Sequence, residues 1–316
     1  MKNVTCYGTG VIGTAWGATF LKGNCNVTFY DIDTEKLDDT KTNLEEILSF
    51  FCTYGMMTAE AKEKALKSVT YTTDVKTAVE HAELIQENCP EKIELKQSVL
   101  KLIEAHCPKD TIIASSTSGL LLSDISKNAV HPERVICAHP YNPVYVMPLV
   151  EISTNEQTDA QVVEKAVAFY KGIGKEPVVL KKESPGFLCN RIQVAVIREA
   201  YDLVHRGVCS VEDIDKAVTY GVGLRWAILG PHLVNHLGGG AAGFRGINAH
   251  LAGAMKTWLE DMAKWSDIPE GYIDVAEEGI KEEMANRPKG TGNNEQELGA
   301  YLNQGVLEIL KYHKLI

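Results

Sequence analysis

His139 and Glu151 stand twelve residues apart in the run AHPYNPVYVMPLVEI (138–152), among three prolines and mostly apolar neighbours. Prolines cannot donate to a β-ladder, and a charge on an apolar run is costly unless it is paired. One arrangement answers both oddities. If RVICAH (134–139) and LVEIS (149–153) lie side by side as strands, Glu151 can hold one imidazole nitrogen of His139, fixing its tautomer and raising its pKa. The other nitrogen is then left to take a proton from a hydroxyl, which is general-base chemistry. The prolines stiffen the connection. The same residues also fit a plainer arrangement, with His139 a satisfied polar group at a strand end and Glu151 pointing to solvent.

A second pattern handles phosphate. Gly8-Thr9-Gly10-Val11-Ile12-Gly13 is a GxGxxG turn between the strand-like NVTCYG (3–8) and the helix-like VIGTAWGATFLKG (11–23). Gly8 permits the tight turn, Gly10 lets a pyrophosphate approach the backbone, and Gly13 lets helix and strand pack closely. The helix N-terminus offers free N–H groups to the phosphate charge. Asp31 ends the next strand-like run, NVTFYDI (26–32), where a carboxylate can accept both ribose hydroxyls. That acid would repel a 2′-phosphate and no arginine follows it closely, so the expected cofactor is NAD rather than NADP. The expected contacts are Gly8, Thr9, Gly10, Val11, Ile12, Gly13 and Asp31, with Glu87 from the QENCPEKIELK run (86–96). The alternative is glycines serving packing alone, with Asp31 a turn residue.

Positioning these groups requires elements, and the apolar periodicity supplies them. Further strands are expected at 69–73, 82–87, 111–116, 134–139, 149–153 and 177–181, with helices over 91–105 and 159–172. A helical region from Glu35 to Lys67 should break near Tyr54-Gly55, ahead of a cap at Thr58. Strands alternating with helices argue for a doubly wound, mainly parallel sheet of Rossmann type. After Lys182 strand-like runs stop, and 191–207 and 211–223 carry helical periodicity. The reading is thus α/β followed by all-α, with an NAD-binding domain over 1–183 and a helical domain over 184–316. The NRPKGTGNNE stretch (286–295) is the most loop-like segment. The LGGGAAGFR run (237–245) is no second phosphate loop, because no strand precedes it.

At 316 residues the chain exceeds the roughly 250–300 at which one core stops growing, which also argues for two domains. A formal net charge of −10 speaks against a general polyanion binder such as a nucleic-acid protein. Eight scattered cysteines show no CxxC and no ligand spacing, so free thiols in a reducing cytosol are expected, with no metal site. A strand-like stretch at Asn3 leaves no room for a signal peptide, and no uncharged apolar run of about 20 residues suggests a membrane span.

Two more segments bear on the site. Ser115-Ser116-Thr117-Ser118-Gly119 follows a strand-like run, and Pro185-Gly186-Phe187-Leu188-Cys189-Asn190-Arg191 opens the helical half, with Asn190 one turn into a helix. SSTSG, HPYNPV…PLVEI and SPGFLCNR, in this order, resemble the signature blocks of the L-3-hydroxyacyl-CoA dehydrogenase family, and the resemblance covers essentially the whole chain. It implies His139 as base, Glu151 as its orienting glutamate, and Ser118 and Asn190 as hydrogen-bond partners of the reacting oxygen or nearby groups. It also implies a homodimer built through the helical domain. Asn142 is either a brace of the site or a turn residue.

Departures from the family pattern bear on the substrate. Acyl-CoA members generally read Gly-Tyr-Pro-Met-Gly-Pro where this chain reads GLRWAILGP (223–231). That block, LGGGAAGFR and QENCPEKIELK resemble the L-carnitine dehydrogenase branch, which implies oxidation of a 3-hydroxyl on a small 3-hydroxy acid. L-gulonate and 3-hydroxyacyl-CoA are the alternatives, as is a crystallin-like structural role. A quaternary ammonium suits aromatic faces, for which Trp226 and Tyr141 or Phe187 are candidates. A carboxylate suits a guanidinium from Arg225 or Arg191. Equally, Trp226 and Phe187 could be core, and Arg225 an ion-pair partner between domains.

Overall fold

Eight short apolar runs become the strands of one sheet in the computed structural model, which describes residues 1–316. They are β1 (Asn3–Tyr7), β2 (Asn26–Tyr30), β3 (Val69–Thr72), β4 (Leu84–Glu87), β5 (Ile112–Ser115), β6 (Val135–Pro140), β7 (Leu149–Ser153) and β8 (Glu176–Val179). Their order is β3-β2-β1-β4-β5-β6-β7-β8. Every neighbouring pair is parallel except β6 with β7. The chain starts in the middle at β1, runs out to β3 and returns to β4 beside β1. That reversal is where doubly wound sheets bind ligands, at the C-terminal ends of the strands. β4, β5 and β6 are buried along their whole length, as strands covered on both faces must be.

Helices α1 (Val11–Lys22), α2 (Thr34–Thr53), α3 (Ala59–Leu66), α4 (Val75–Val79), α5 (Ile93–Glu104), α6 (Leu122–Ile125) and α7 (Ala160–Gly172) cover the sheet. The Glu35–Lys67 region breaks where expected, because Gly55 turns through φ +71° and the Thr58 side chain accepts from the Ala61 amide to start α3. α4 and α6 are too short for a periodicity to announce. One core cluster holds Trp16, Phe20, Phe29, Leu44, Phe51 and Tyr170, and a second holds Ile85, Ile103, Ile113, Cys137, Leu180 and Phe187. Each such side chain contributes about 1.5–3 kcal/mol by leaving water.

Two units divide at Arg191/Ile192. α8 (Cys189–His205) straddles that point, and the second unit continues with α9 (Val211–Ala217), α10 (Gly223–Trp226), α11 (Pro231–Gly238), α12 (Gly243–Asp261), α13 (Tyr272–Asn286) and α14 (Glu295–Tyr312). The single helix expected over 211–223 is three pieces. α9, capped by Ser210 and Asp213, passes through a π-turn at 218–222 into α10. At Gly223 a Cβ would come within 2.7 Å of the Val218 carbonyl oxygen, so the close approach there needs glycine. The LGGGAAGFR run forms the corner between α11 and α12, where a Cβ on Gly239 would lie 1.8 Å from the Gly243 oxygen. All eight cysteines are free, and no helix is long and apolar enough to cross a membrane.

Lys175 is a buried cation without a carboxylate partner. Lys175, between α7 and β8, donates through Nζ to the carbonyls of Val144 and Met147 and lies 5.1 Å from the Trp16 ring centroid. Burial, with a smaller contribution from Lys22, pushes its amine down to about 7. Because the folded value lies below the unfolded one, the unfolded chain binds more protons between pH 7 and about 10, and this residue's penalty shrinks as pH rises through that window. Lys175→Met should therefore show its largest gain in stability over wild type at or below pH 7, narrowing toward pH 10, as read by denaturant unfolding. A difference independent of pH would contradict this.

Candidate active site

The glycine turn shows which of its glycines the fold itself needs. Gly8 sits at φ +92°, a conformation that other residues rarely adopt. A Cβ on Gly13 would lie 2.0 Å from the Gly8 oxygen, so this position is close helix–strand packing. Gly10 differs from both. It is the N-cap of α1 in ordinary extended backbone, and nothing lies within 4 Å of where its Cβ would be. Neither conformation nor packing requires glycine there, so the open space is suited to an incoming group, and no side chain caps the α1 amides.

Beside this turn lies a cavity of about 640 Å³. Its walls include Gly8 to Ile12 of the turn, Tyr7, Tyr30, Asp31 and the apolar Leu95 and Val99 of α5. Asp31 lies one residue past β2, where its Oδ2 accepts from the Thr9 amide (3.0 Å) and hydroxyl (3.1 Å). Thr9 thereby ties the turn to the acid. Glu87, expected among the cofactor contacts, does not line the cavity. Its carboxylate is occupied by Lys96 Nζ (3.0 Å to each oxygen), the Ser115 hydroxyl (2.5 Å) and the Cys89 amide (2.6 Å), a buried network that braces the end of β4.

At the other end of the sheet His139 and Glu151 are direct cross-strand partners in the antiparallel β6–β7 pair. His139 Nδ1 lies 2.9 Å from Glu151 Oε2, and both residues are buried, Glu151 to 1% exposure. That burial excludes a glutamate pointing to solvent. The second oxygen, Oε1, accepts from the amides of Leu188 (2.8 Å) and Cys189 (3.0 Å) at the start of α8. Burial alone would push the Glu151 carboxyl up. The bonds from His139 and from the two amides outweigh it and hold the group below its ordinary value. Around the imidazole, the Phe187 ring lies 5.5 Å away and the Tyr141 ring 6.3 Å. Phe187 is fully buried and belongs to the core, while Tyr141 is half-buried.

Ser118 follows β5, and Glu91 gathers its loop. Glu91 Oε1 accepts from the Thr117 hydroxyl (2.6 Å), the Ser118 amide (2.8 Å) and hydroxyl (3.1 Å), and the Gly119 amide (3.2 Å). Nothing in the residue pattern singled out Glu91, because its partners arrive from a segment 26 to 28 positions away. Asn190 is the second residue of α8 rather than one turn in, and its Nδ2 donates to the Ser118 carbonyl (2.8 Å). The first unit therefore assembles His139, Glu151, Ser118 and Asn190 through β6, β7, the β5 loop and the first residues of α8. Asn142 is exposed on the loop after β6. Arg191 is exposed and donates to the Pro185 carbonyl. Arg225 and Trp226 lie on α10 of the second unit, both exposed.

Residues 3–184 match the family model of the 3-hydroxyacyl-CoA dehydrogenase NAD-binding domain, and residues 186–272 match that of the C-terminal domain. The chain is 40% identical over 280 residues to an L-carnitine dehydrogenase of Oceanobacillus iheyensis, covering 88% of this chain and 90% of that protein. It is 34% identical over 312 residues to an L-carnitine dehydrogenase of Streptomyces coelicolor, covering 98% and 94%. Among solved structures it is similar to 5-formyl-3-hydroxy-2-methylpyridine 4-carboxylic acid 5-dehydrogenase, an NAD-dependent dismutase, with a TM-score of 0.79, 27% identity and coverage of 100% and 98%. Matched in order through both halves and along most of its length, the chain belongs to the NAD-dependent 3-hydroxyacyl-CoA dehydrogenase family.

Proposed function

We propose that the chain oxidises the 3-hydroxyl of a small 3-hydroxy acid, L-carnitine to 3-dehydrocarnitine, with His139 as general base. The observation that carries the reaction type is the buried His139–Glu151 contact. A carboxylate at Nδ1 holds that nitrogen protonated and leaves Nε2 as the acceptor for the substrate's hydroxyl proton. Glu151, kept ionised by its three donors, stabilises the imidazolium that forms. The Ser118 hydroxyl orients the reacting oxygen, and Asn190 holds the Ser118 loop in place.

The residues around the glycine turn fit NAD. The open space at Gly10 and the uncapped start of α1 would hold its pyrophosphate, Asp31 its ribose hydroxyls, and the apolar Leu95 and Val99 its base. Bound there, NAD would supply the hydride acceptor that oxidation of the alcohol requires.

Support for carnitine comes from relatives that bear its name, among them the two described above, and from side-chain chemistry. By residue type alone, an aromatic face such as Trp226 or Tyr141 suits a quaternary ammonium, and a guanidinium such as Arg225 suits a carboxylate. Free cysteines throughout fit a reducing compartment. In the second unit Leu224, Leu233, Leu237, Trp258, Leu259 and Leu302 are each more than half exposed. Apolar surface of that extent supports a homodimer. Sedimentation equilibrium should then give twice the 34.7 kDa of the chain, and a single-chain mass would contradict it.

Two substitutions separate holding the cofactor from doing the chemistry. Gly10→Ala should fold with wild-type stability yet lose NAD binding in a fluorescence titration, while His139→Gln should keep NAD binding and lose turnover by at least about 1000-fold. NADH production from L-carnitine, L-gulonate, 3-hydroxybutyrate and 3-hydroxybutyryl-CoA at matched concentrations reads the substrate. Turnover of gulonate without carnitine would overturn the substrate assignment, and turnover retained in His139→Gln would overturn the base. No turnover of any of the four would favour the structural, crystallin-like role.

A further inference from the structure

β4 reads Leu-Ile-Gln-Glu, and a polar amide in the middle of a buried parallel strand is out of place unless it has work there. Gln86 is wholly buried and uses both ends of its side chain. Nε2 donates to the Ser116 hydroxyl (2.8 Å) and to the carbonyl of Ala138 (3.2 Å), and Oε1 accepts from the Tyr170 hydroxyl (2.6 Å). Ser116 is in turn a hub. Its oxygen also accepts from the Trp16 indole (3.2 Å), and its O–H donates to Asn88 Oδ1 (2.7 Å). Asn88 Nδ2 donates to the Gln86 carbonyl (2.8 Å) and reaches the Gly8 carbonyl (3.4 Å). The chain of bonds therefore begins at the carbonyl of the residue before His139 and ends at the first glycine of the cofactor turn.

We propose that Gln86 is a positioning residue, which through Ser116 and Asn88 holds the strand carrying His139 at a set distance from the glycine turn. The proposal rests on the reading of His139 as base. Hydride and proton leave neighbouring atoms of one alcohol, so the base and the cofactor must be held at matched positions, and a shift near 1 Å between them costs about 100-fold in rate. An apolar residue at 86 would fill the same space but would leave the offset between β6 and the turn to the backbone ladders through β5 alone.

The test uses the full chain with NAD and whichever of the four hydroxy acids wild type turns over. Gln86→Met keeps the length of the side chain and removes all three bonds. kcat should fall about 10- to 100-fold while the NAD dissociation constant changes by less than about three-fold, and the deuterium isotope effect on kcat with 3-deuterated substrate should grow. An unchanged kcat overturns the proposal, and so does an equal loss of kcat and NAD affinity, which marks general loosening of the core. If Gln86→Met does not fold, Tyr170→Phe and Ser116→Ala, which each remove part of the network, are read by the same criteria. His139→Gln separates the two claims: if it is inactive beside a normal Gln86→Met, positioning fails alone, and if it is active, the base assignment fails.

Discussion

Both oxygens of the Glu151 carboxylate are engaged, one with His139 and the other with the first amides of α8. Burying an ionised carboxylate costs several kcal/mol unless donors replace its water, and here three donors and a helix N-terminus do so. Satisfying that one charge requires β6 and β7 to pair in register, the loop between them to close, and the chain after Gly186 to present its amides inward. The orientation of the imidazole and the start of α8 therefore depend on the same group. A site built this way does not adjust one part at a time.

The sheet provides the frame in which this charge can be buried. Its central strands lie between two apolar clusters, and its one antiparallel pair sets His139 opposite Glu151. At the switch point beside β1 the glycine turn leaves a space at Gly10 that the protein's own packing does not fill. Between these two ends runs a buried polar path through Gln86 and Ser116, where an all-apolar strand would have been the simpler construction. Catalysis of hydride transfer demands fixed relative positions, and hydrogen bonds specify distance in a way that apolar contact does not.

Much of this was legible in the residues. The eight strands follow from short apolar runs, and the cofactor turn from the spacing of Gly8, Gly10, Gly13 and Asp31. The pairing of His139 with Glu151 was one of two arrangements the residues allowed, and the cost of leaving a carboxylate alone on an apolar strand pointed to it. What could not be read depends on segments distant in the chain. Glu91 grips the Ser118 loop, Asn190 reaches the Ser118 carbonyl, and Glu87 turns to Lys96 instead of the cavity. These are tertiary meetings without a local pattern. The second unit was less legible because glycines at 223, 239 and 243 divide helical periodicity into short pieces. The chemical types of Arg225 and Trp226 were evident, but nothing in their spacing indicated that both are exposed on a four-residue helix.

Glu151→Gln removes the charge and keeps the shape, and a glutamine has a single oxygen to offer where His139 and two amides each need an acceptor. Single-turnover hydride transfer in this variant at saturating NAD isolates the effect on chemistry from cofactor binding. By comparison with catalytic histidines deprived of their carboxylate, a loss of at least about 100-fold with NAD affinity intact is the predicted result. A rate within about three-fold of wild type would show that His139 is oriented without Glu151 and would contradict the central role given to that carboxylate.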